Sequence, residues 1–300
     1  MKTENRSESR PIRVDELAAA KVNLFLSVGK RRADGYHEIT SLMETVSLCD
    51  KLTFTADDSL LPKIKLSILG KYPVPKDPSN LVIRAAEAYF EATGARFGVS
   101  ISLEKSIPTE AGLGGGSADA AATLRALNRM SPRPLSSGEL REIAASLGAD
   151  VPFCLCGGTA ICRGIGDLIE PVPDSLHRFY TVVMGQDRVS TAAAYRSLDE
   201  KNGSADSVSS PLPNDELLLL ARGGATSLHN DFESVVFPDH PAIAEYKTRL
   251  LSLGATDALM SGSGAAVFGL FADPASASRA AAAFPDADAF AVETVGRYDS

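Results

Sequence analysis

The sequence predicts an α+β protein built in two parts, and three observations carry that expectation. The second half reads strand, helices, two strands, helix, strand, which is the order of a sheet layered against helices. The first half opens on β-favouring alternating stretches and passes through a glycine-rich loop into an alanine-rich helix. Between them the composition shifts, after Pro171-Val-Pro-Asp174, so the parts are expected at residues 12–174 and 175–300. A chain of 300 residues supports two ordinary domains with a substantial core. At 44% hydrophobic and 23% charged it has a globular rather than a disordered composition.

Each element has its own local reason. Residues 1–11 are polar and charged and read as a frayed tail. Val22 to Val28 alternates as a strand, and Lys30-Arg31-Arg32-Ala-Asp34-Gly35 is a basic turn leading to β-like stretches over Ile39–Leu48 and Lys51–Thr55. Asn80 caps a helix running through Tyr89, with Gly94 just past its end, and Val99–Leu103 alternates as a strand. Pro108 to Gly116 is a loop, a helix starts at Ser117, and a second helix over Ser137–Leu147 stops at Gly148. Gly157–Cys162 reads as a strand and Gly164–Asp167 as a turn. Beyond the boundary, Phe179–Met184 is a strand, and Asn202 to Pro213 is a Gly/Ser/Pro-rich surface loop. Helical patterns follow at Asp215–Ala221 and His240–Leu253. Ala258–Phe271 splits into two strands around Ser261-Gly-Ser-Gly264, Pro274–Phe284 is a helix, and Ala289–Val295 is the last strand.

Charge and cysteine usage exclude several classes. Thirty Lys+Arg against 38 Asp+Glu leave a net charge of −8 and a pI near 5.1, which argues against nonspecific nucleic-acid binding. A local basic pocket for an anionic substrate remains compatible with that exterior. No apolar run approaches a membrane span and the start, MKTENRSESRPIR, has no signal-peptide core, so a soluble, cytoplasmic protein without a membrane partner is expected. Cys49, Cys154, Cys156 and Cys162 are too few for a disulfide scaffold, and Cys154-Leu-Cys156 lacks the usual zinc spacing. They read as small packing residues. His37-Glu38 opens like a metalloprotease motif, but position 41 is Ser and the pattern fails.

Three segments carry chemistry. Pro108-Thr-Glu-Ala-Gly112-Leu-Gly114-Gly115-Gly116-Ser117-Ala-Asp119 runs into a helix, and its glycines allow backbone N–H groups close to an anion at a positive helix end. It is neither a Walker A loop, which needs Gly-Lys-Ser/Thr, nor a dinucleotide fingerprint, which needs glycine at Ser117. The plain alternative is a flexible loop with Ser117 as helix N-cap. Lys21 opens an apolar strand, either as an edge residue that snorkels or as a cation aimed at a substrate oxygen. Asn23 shares its face by the two-residue period. Asp150, in Gly148-Ala-Asp150-Val-Pro152, is either an N-cap before a proline or a carboxylate that orients a hydroxyl nucleophile.

Taken in order, Lys-x-Asn, the Pro-x-x-x-Gly-Leu-Gly-Gly-Gly-Ser loop, Gly-Ala-Asp-Val-Pro and a late Gly-Ser-Gly-Ala turn resemble the GHMP small-molecule kinases. The fuller strings Ala20-Lys-Val-Asn-Leu-Phe-Leu26, Arg32-Ala-Asp-Gly-Tyr-His-Glu38, Gly112-Leu-Gly-Gly-Gly-Ser117 and Asn230-Asp-Phe-Glu233 resemble, within them, the 4-diphosphocytidyl-2-C-methyl-D-erythritol kinase family, over about residues 18 to 270. The resemblance implies a ribosomal-protein-S5-like N-terminal domain and a ferredoxin-like C-terminal domain. It implies ATP as co-substrate, Mg²⁺ with it, and phosphorylation of a hydroxyl on a cytidylyl diphosphate sugar-alcohol in isoprenoid precursor synthesis, in a monomer or weak homodimer.

The resemblance also assigns residues. ATP would lie along Pro108, Thr109, Glu110, Ala111, Gly112, Leu113, Gly114, Gly115, Gly116, Ser117 and Ala118, flanked by Lys105 and Asp119. Asp150 and Lys21 match the catalytic pair, Asn23 would touch substrate, and Tyr36 and His37 match the pair that recognises cytidine, with Tyr195 closing over the base. Ala118 and Asp119 depart from the Ser-Asn that some members carry after the loop. The competing readings are another GHMP kinase, of homoserine, mevalonate or galactose type, and a non-catalytic nucleotide-binding protein on the same fold.

Overall fold

The computed structural model describes residues 12–57, 64–95, 97–203, 211–224 and 227–298. The polar tail over residues 1–11 and the centre of the loop over residues 202–213 therefore lie outside the described residues.

Two long strands, β1 (Arg13–Arg31) and β2 (His37–Ala56), form an antiparallel ribbon at the heart of the first sheet. The stretches expected at Ile39–Leu48 and Lys51–Thr55 are one continuous strand. The polar Cys49-Asp50 pair that interrupts the apolar pattern sits inside the sheet, where the buried Asp50 carboxylate accepts from the backbone of Ser106 and Ile107. An edge strand β3 (Ile64–Gly70) pairs parallel with β4 (Val99–Lys105), which pairs antiparallel with β2. Between β3 and β4 lies helix α1 (Leu81–Thr93), capped by the Asn80 side chain on the Val82 N–H and ended by Gly94 in the left-handed region.

Helices α2 (Gly115–Met130), α3 (Ser137–Leu147) and α4 (Val151–Cys156) follow. The α3 start is fixed by a reciprocal Ser136–Glu139 capping box. Short strands β5 (Thr159–Arg163) and β6 (Leu168–Pro171) complete this half, β5 pairing with β2 along Ser41–Glu44. An alanine-rich α2 face packs against Tyr89, Phe54 and Leu103 in a core of its own.

The second half contributes β7 (Phe179–Met184), α5 (Thr191–Asn202), α6 (Asn214–Ala221), the two-residue β8 (His229–Asn230), α7 (Glu233–Asp239), α8 (Pro241–Ser252), β9 (Asp257–Met260), β10 (Val267–Phe271), α9 (Pro274–Ala282) and β11 (Asp288–Glu293). Its four-stranded antiparallel sheet has the order β11-β7-β10-β9, the arrangement of a ferredoxin-like βαββαβ unit. Residue 174 lies between β6 and β7, yet two segments cross back over it. β8 joins the first sheet parallel to β1, and Thr294 and Arg297 bridge to Val46 and Gly157.

The halves are also joined by a buried polar cluster. Glu44 on β2 meets Arg178 at 3.3 Å and Thr159 at 2.9 Å, and Tyr180 on β7 donates its hydroxyl to the same carboxylate. Burial raises the Glu44 carboxyl above its ordinary range, against the opposing pull of Arg178.

Candidate active site

One cleft of about 1260 Å³ opens between the halves, and most of the residues singled out above line it. Lys21 arrives from the middle of β1 with only 3% of its surface exposed, so it is not a snorkelling edge residue. Its Nζ donates to Asn23 Oδ1 at 2.6 Å and stands 3.6 Å from Asp150 Oδ2. The two-residue period of β1 thus does put Lys21 and Asn23 together. Asn23 is held in turn by donating to Ser41 Oγ at 2.8 Å, and that hydroxyl donates to the Phe25 carbonyl.

Asp150 occupies the N-cap position of α4, with Pro152 in the first turn, but its side chain makes no capping hydrogen bond. The capping explanation therefore fails for the carboxylate. What remains is an acid group, one-third exposed, directed at a buried ammonium in the cleft.

The glycine-rich loop is clamped from both sides. Lys21 N–H donates to the Leu113 carbonyl at 3.0 Å, Ala266 N–H to the Ala111 carbonyl at 3.1 Å, and Ser261 Oγ to the Gly112 carbonyl at 2.9 Å. Three successive carbonyls are thus turned away and satisfied. Gly112 (φ +72°) lies so close to this turn that a Cβ would run into the Ser261 carbonyl, and a Cβ on Gly114 (φ +68°) would stand 2.9 Å from Lys21 Cγ.

Helix α2 begins at Gly115, two residues before the expected start, with Gly114 as its N-cap, so Ser117 is not the cap. No side chain caps this end and its first turn holds no acidic residue. Its leading N–H groups are left for an anion at the positive end of a 16-residue helix.

Of the loop residues, Glu110, Gly112, Gly114 and Ser117 line the cleft. Glu110 is the only described non-glycine residue with positive φ, at 55°. Ala111, Leu113 and Ala118 turn their side chains into the core. Pro108, Thr109, Gly115 and Gly116 do not line the cleft wall.

Lys105 and Asp119 stand behind the loop rather than in the cleft. Lys105 Nζ donates to Asp119 Oδ2 at 2.9 Å and to Asp50, all three being buried. A Cβ on Gly115 would approach Lys105 Nζ to 3.0 Å, which places the ammonium directly beneath the start of α2. Burial pushes the Asp119 carboxyl up to about 8, with Lys105 opposing and Asp50 reinforcing the rise. Its Oδ1 has no hydrogen-bond partner among the described residues.

At the other end of the cleft, His37 and Tyr195 stack with ring centroids 4.9 Å apart and planes 21° from parallel. Tyr195 also meets Phe232 edge-on at 4.9 Å. Tyr36 is 59% exposed at the rim. Tyr195 stands on α5, a helix the sequence reading left out, and α5 brings Asp199 as well, whose Oδ1 lies 2.7 Å from His37 Nε2.

Arg31, Arg188 and Arg196 supply positive charge to the cleft, whereas Arg32 is spent on Asp34 and Glu38. Of the basic turn Lys30-Arg31-Arg32, where the sequence suggests either a local positive field or solvated surface charge, only Arg31 lines the cleft. Arg188 and Arg196 carry no local pattern that would mark them. The turn Gly262–Gly264 packs against the loop and lines the cleft beside it. Asn230 holds it by donating to the carbonyls of Met260 and Gly262 at 2.7 and 2.8 Å. Cys154 and Cys162 are packed in the core, and burial raises both thiols well above the ordinary range, so neither is a nucleophile.

Comparison with known proteins gives the family and the fold. Residues 80–158 match the GHMP kinases N terminal domain and residues 215–288 the GHMP kinases C terminal domain. The 4-diphosphocytidyl-2-C-methyl-D-erythritol kinase of Syntrophus aciditrophicus is 42% identical over 255 residues, covering 85% of this chain and 88% of that protein. The kinase of the same name from Alkaliphilus metalliredigens is 39% identical over 84% of this chain and 86% of its own length. A crystal structure of a 4-(cytidine 5'-diphospho)-2C-methyl-D-erythritol kinase superposes with a TM-score of 0.79 at 38% identity, covering 94% of this chain and 100% of that one. Homoserine kinase from Cytophaga hutchinsonii shares the fold, with a TM-score of 0.68, at 20% identity. This chain belongs to the GHMP kinases and, within them, to the 4-diphosphocytidyl-2-C-methyl-D-erythritol kinase family.

Proposed function

We propose that this chain transfers the γ-phosphoryl group of ATP to the 2-hydroxyl of 4-diphosphocytidyl-2-C-methyl-D-erythritol, a step in the methylerythritol phosphate route to isoprenoid precursors. The observation that carries this reading is the layout of a single cleft. A cation–carboxylate pair, Lys21 and Asp150, lies between an uncapped helix end beside a glycine loop and an aromatic–imidazole pocket. ATP phosphates belong at the loop and the start of α2, and the cytidine belongs against His37, Tyr195 and the exposed Tyr36.

Phosphoryl transfer has a loose transition state, so positioning and charge matter more than a strong base. Asp150 orients the attacking hydroxyl and takes its proton as the P–O bond forms. Lys21, fixed by Asn23, stabilises charge on the transferring oxygens, and its burial strengthens that effect. Lys105, Asp50 and Asp119 act at one remove, holding the base of the loop; Asp119 and Lys105 are supports rather than ATP contacts.

Among the described residues no group of three or more His, Cys, Asp or Glu could hold a metal. The oxygen donors at the cleft wall, Ser117 and Glu110, suit a hard cation, so Mg²⁺ fits here as an ion carried on the nucleotide phosphates. When bound it neutralises phosphate charge. No described helix is long and apolar enough to cross a membrane. The acidic charge balance speaks against a nucleic-acid partner and is compatible with small-molecule ligands held in a local basic cleft.

A coupled ADP-release assay tests the reading, run with the cytidylyl substrate, mevalonate, homoserine and galactose. Turnover of the cytidylyl compound alone is the expected result. Turnover of another alcohol without it overturns the assignment, and ATP binding with no turnover of any of them favours a non-catalytic nucleotide binder.

A further inference from the structure

Asp199 has no part in the phosphoryl chemistry, yet it makes the closest polar contact of the imidazole at the nucleoside end of the cleft. Its Oδ1 lies 2.7 Å from His37 Nε2. It reaches that position because Tyr195 and Asp199 are four residues apart on α5 and so share one helix face. The same helix turn stacks a ring on the imidazole plane and places a carboxylate at its edge. His37 itself is 8% exposed, so its ring is held by contacts rather than by solvent.

An ionised carboxylate only accepts hydrogen bonds. A neutral His37 ring paired with it therefore carries its proton on Nε2, and Nδ1 is a bare acceptor. Nδ1 has no protein partner among the described residues. The edges of the two common pyrimidines differ at one place that such an atom reads. Cytosine presents an exocyclic amine, a donor, where uracil presents a carbonyl oxygen, an acceptor. A bare Nδ1 accepts from the amine and meets the carbonyl as one acceptor facing another.

We propose that Asp199 is a positioning residue that sets base specificity: by fixing His37 in the Nε2–H tautomer it makes the cleft accept a cytosine ring and reject a uracil ring. This rests on the nucleoside reading given above. Without Asp199 the ring is free to move its proton to Nδ1 and donate to a uracil carbonyl, so the preference fades while the stacking surface stays.

The test uses the full chain, Asp199→Ala and Asp199→Asn. Asp199→Asn keeps the packing, but its amide donates as well as accepts and no longer dictates the tautomer. Calorimetric titration with cytidine diphosphate and with uridine diphosphate reads the preference directly. The wild type should favour the cytosine compound by roughly 10–100-fold, the scale of one mismatched buried polar pair, and both variants should lose most of that ratio. In turnover the loss should fall on KM for the cytidylyl substrate rather than on kcat.

A second readout is the ¹⁵N spectrum of the four histidines, His37, His177, His229 and His240, assigned with a His37→Gln variant. His37 should show a protonated Nε2 and a bare Nδ1 in the wild type. A ring protonated at Nδ1, alone or together with Nε2, overturns the proposal. So does a cytosine preference unmoved in both variants, while leaving the nucleoside reading intact. A wild type that binds neither diphosphate overturns that reading and the preference together.

Discussion

Replacing Asp150 by Asn separates catalysis from stability more cleanly than any other change in the cleft. The backbone carbonyl of residue 150 accepts from the Cys154 N–H at 3.0 Å, and this bond survives the substitution, as does the shape of the side chain. No side-chain capping bond exists to be lost. What disappears is one negative charge 3.6 Å from Lys21 Nζ. At that separation the direct attraction is about 1 kcal/mol in water and about 4–5 kcal/mol at an effective dielectric constant near 20. The carboxylate is one-third exposed and Lys21 keeps Asn23 as a partner, so the low end applies to folding.

A loss of about 1 kcal/mol lowers Tm by roughly 1–2 °C in a chain of 300 residues. Loss of the group that takes the proton should instead slow turnover by about 10²–10⁴-fold, or roughly 2.7–5.5 kcal/mol of barrier. Scanning calorimetry and the ADP-release assay on one preparation read both numbers. Turnover within about fivefold of wild type, or a loss confined to KM, would refute the assignment of Asp150 to the chemical step.

Lys21→Met keeps the aliphatic stem and should lower kcat by about 10²-fold or more with KM for both substrates little changed, measured by steady-state kinetics. His37→Ala and Tyr195→Ala should each weaken cytidine diphosphate binding by ~1–3 kcal/mol and spare an ATP analogue in calorimetric titration. Because the two rings stack on each other, the double variant should cost less than the sum of the singles. Glu44→Ala leaves the buried Arg178 without its counter-charge and should cost about 3 kcal/mol or more in urea unfolding, with the carbonyls of Leu220 and Ala221 limiting the loss. Asp119 binds its proton more tightly folded than unfolded, so its contribution is fully present below about pH 4 and is lost as pH rises towards 8. Stability should therefore fall over that interval, and Asp119→Asn should flatten that part of the slope. An unchanged slope in the variant would assign it to other groups, Glu44 first.

Elements whose ends are set by local chemistry were legible in the sequence. Asn80 caps α1 and Gly94 ends it in the left-handed region, and the Ser136–Glu139 capping box starts α3, because such caps act within a few residues. The hidden elements are those whose reasons lie elsewhere in the chain. β2 read as two pieces because Asp50, a charge in the middle of a strand, makes sense only once Lys105 arrives from β4. Helix α5 buries only Ala194 and Leu198, so its apolar stripe is too thin to stand out. The two residues of β8 carry no pattern at all, and pairing with Phe25 and Leu26 makes them a strand.

The site divides along the same line. Lys21, Asn23, Asp150 and the glycine loop stood out because each sits in a short string with its own chemistry. Asp199, Arg188 and Arg196 did not, since each gains meaning from a partner in the cleft. Even the loop depends on distant chain. Its carbonyls are held by Lys21 from β1 and by Ser261 and Ala266 from the second half, and Asn230 steadies the turn that carries Ser261. A glycine-rich string can fold many ways when free. Here three carbonyls are drawn outward by three fixed donors, so the backbone between them has few remaining choices and the N–H groups at the start of α2 are left for an anion. Disrupting the second half should therefore impair phosphate binding in the first. Gly112→Ala puts a methyl against the Ser261 carbonyl at a residue with φ +72° and forces that separation. It should weaken ATP-analogue binding at least tenfold in calorimetric titration while cytidine diphosphate binding at His37 and Tyr195 persists. Equal loss of both ligands would mean that the clamp holds the whole cleft rather than the phosphate loop.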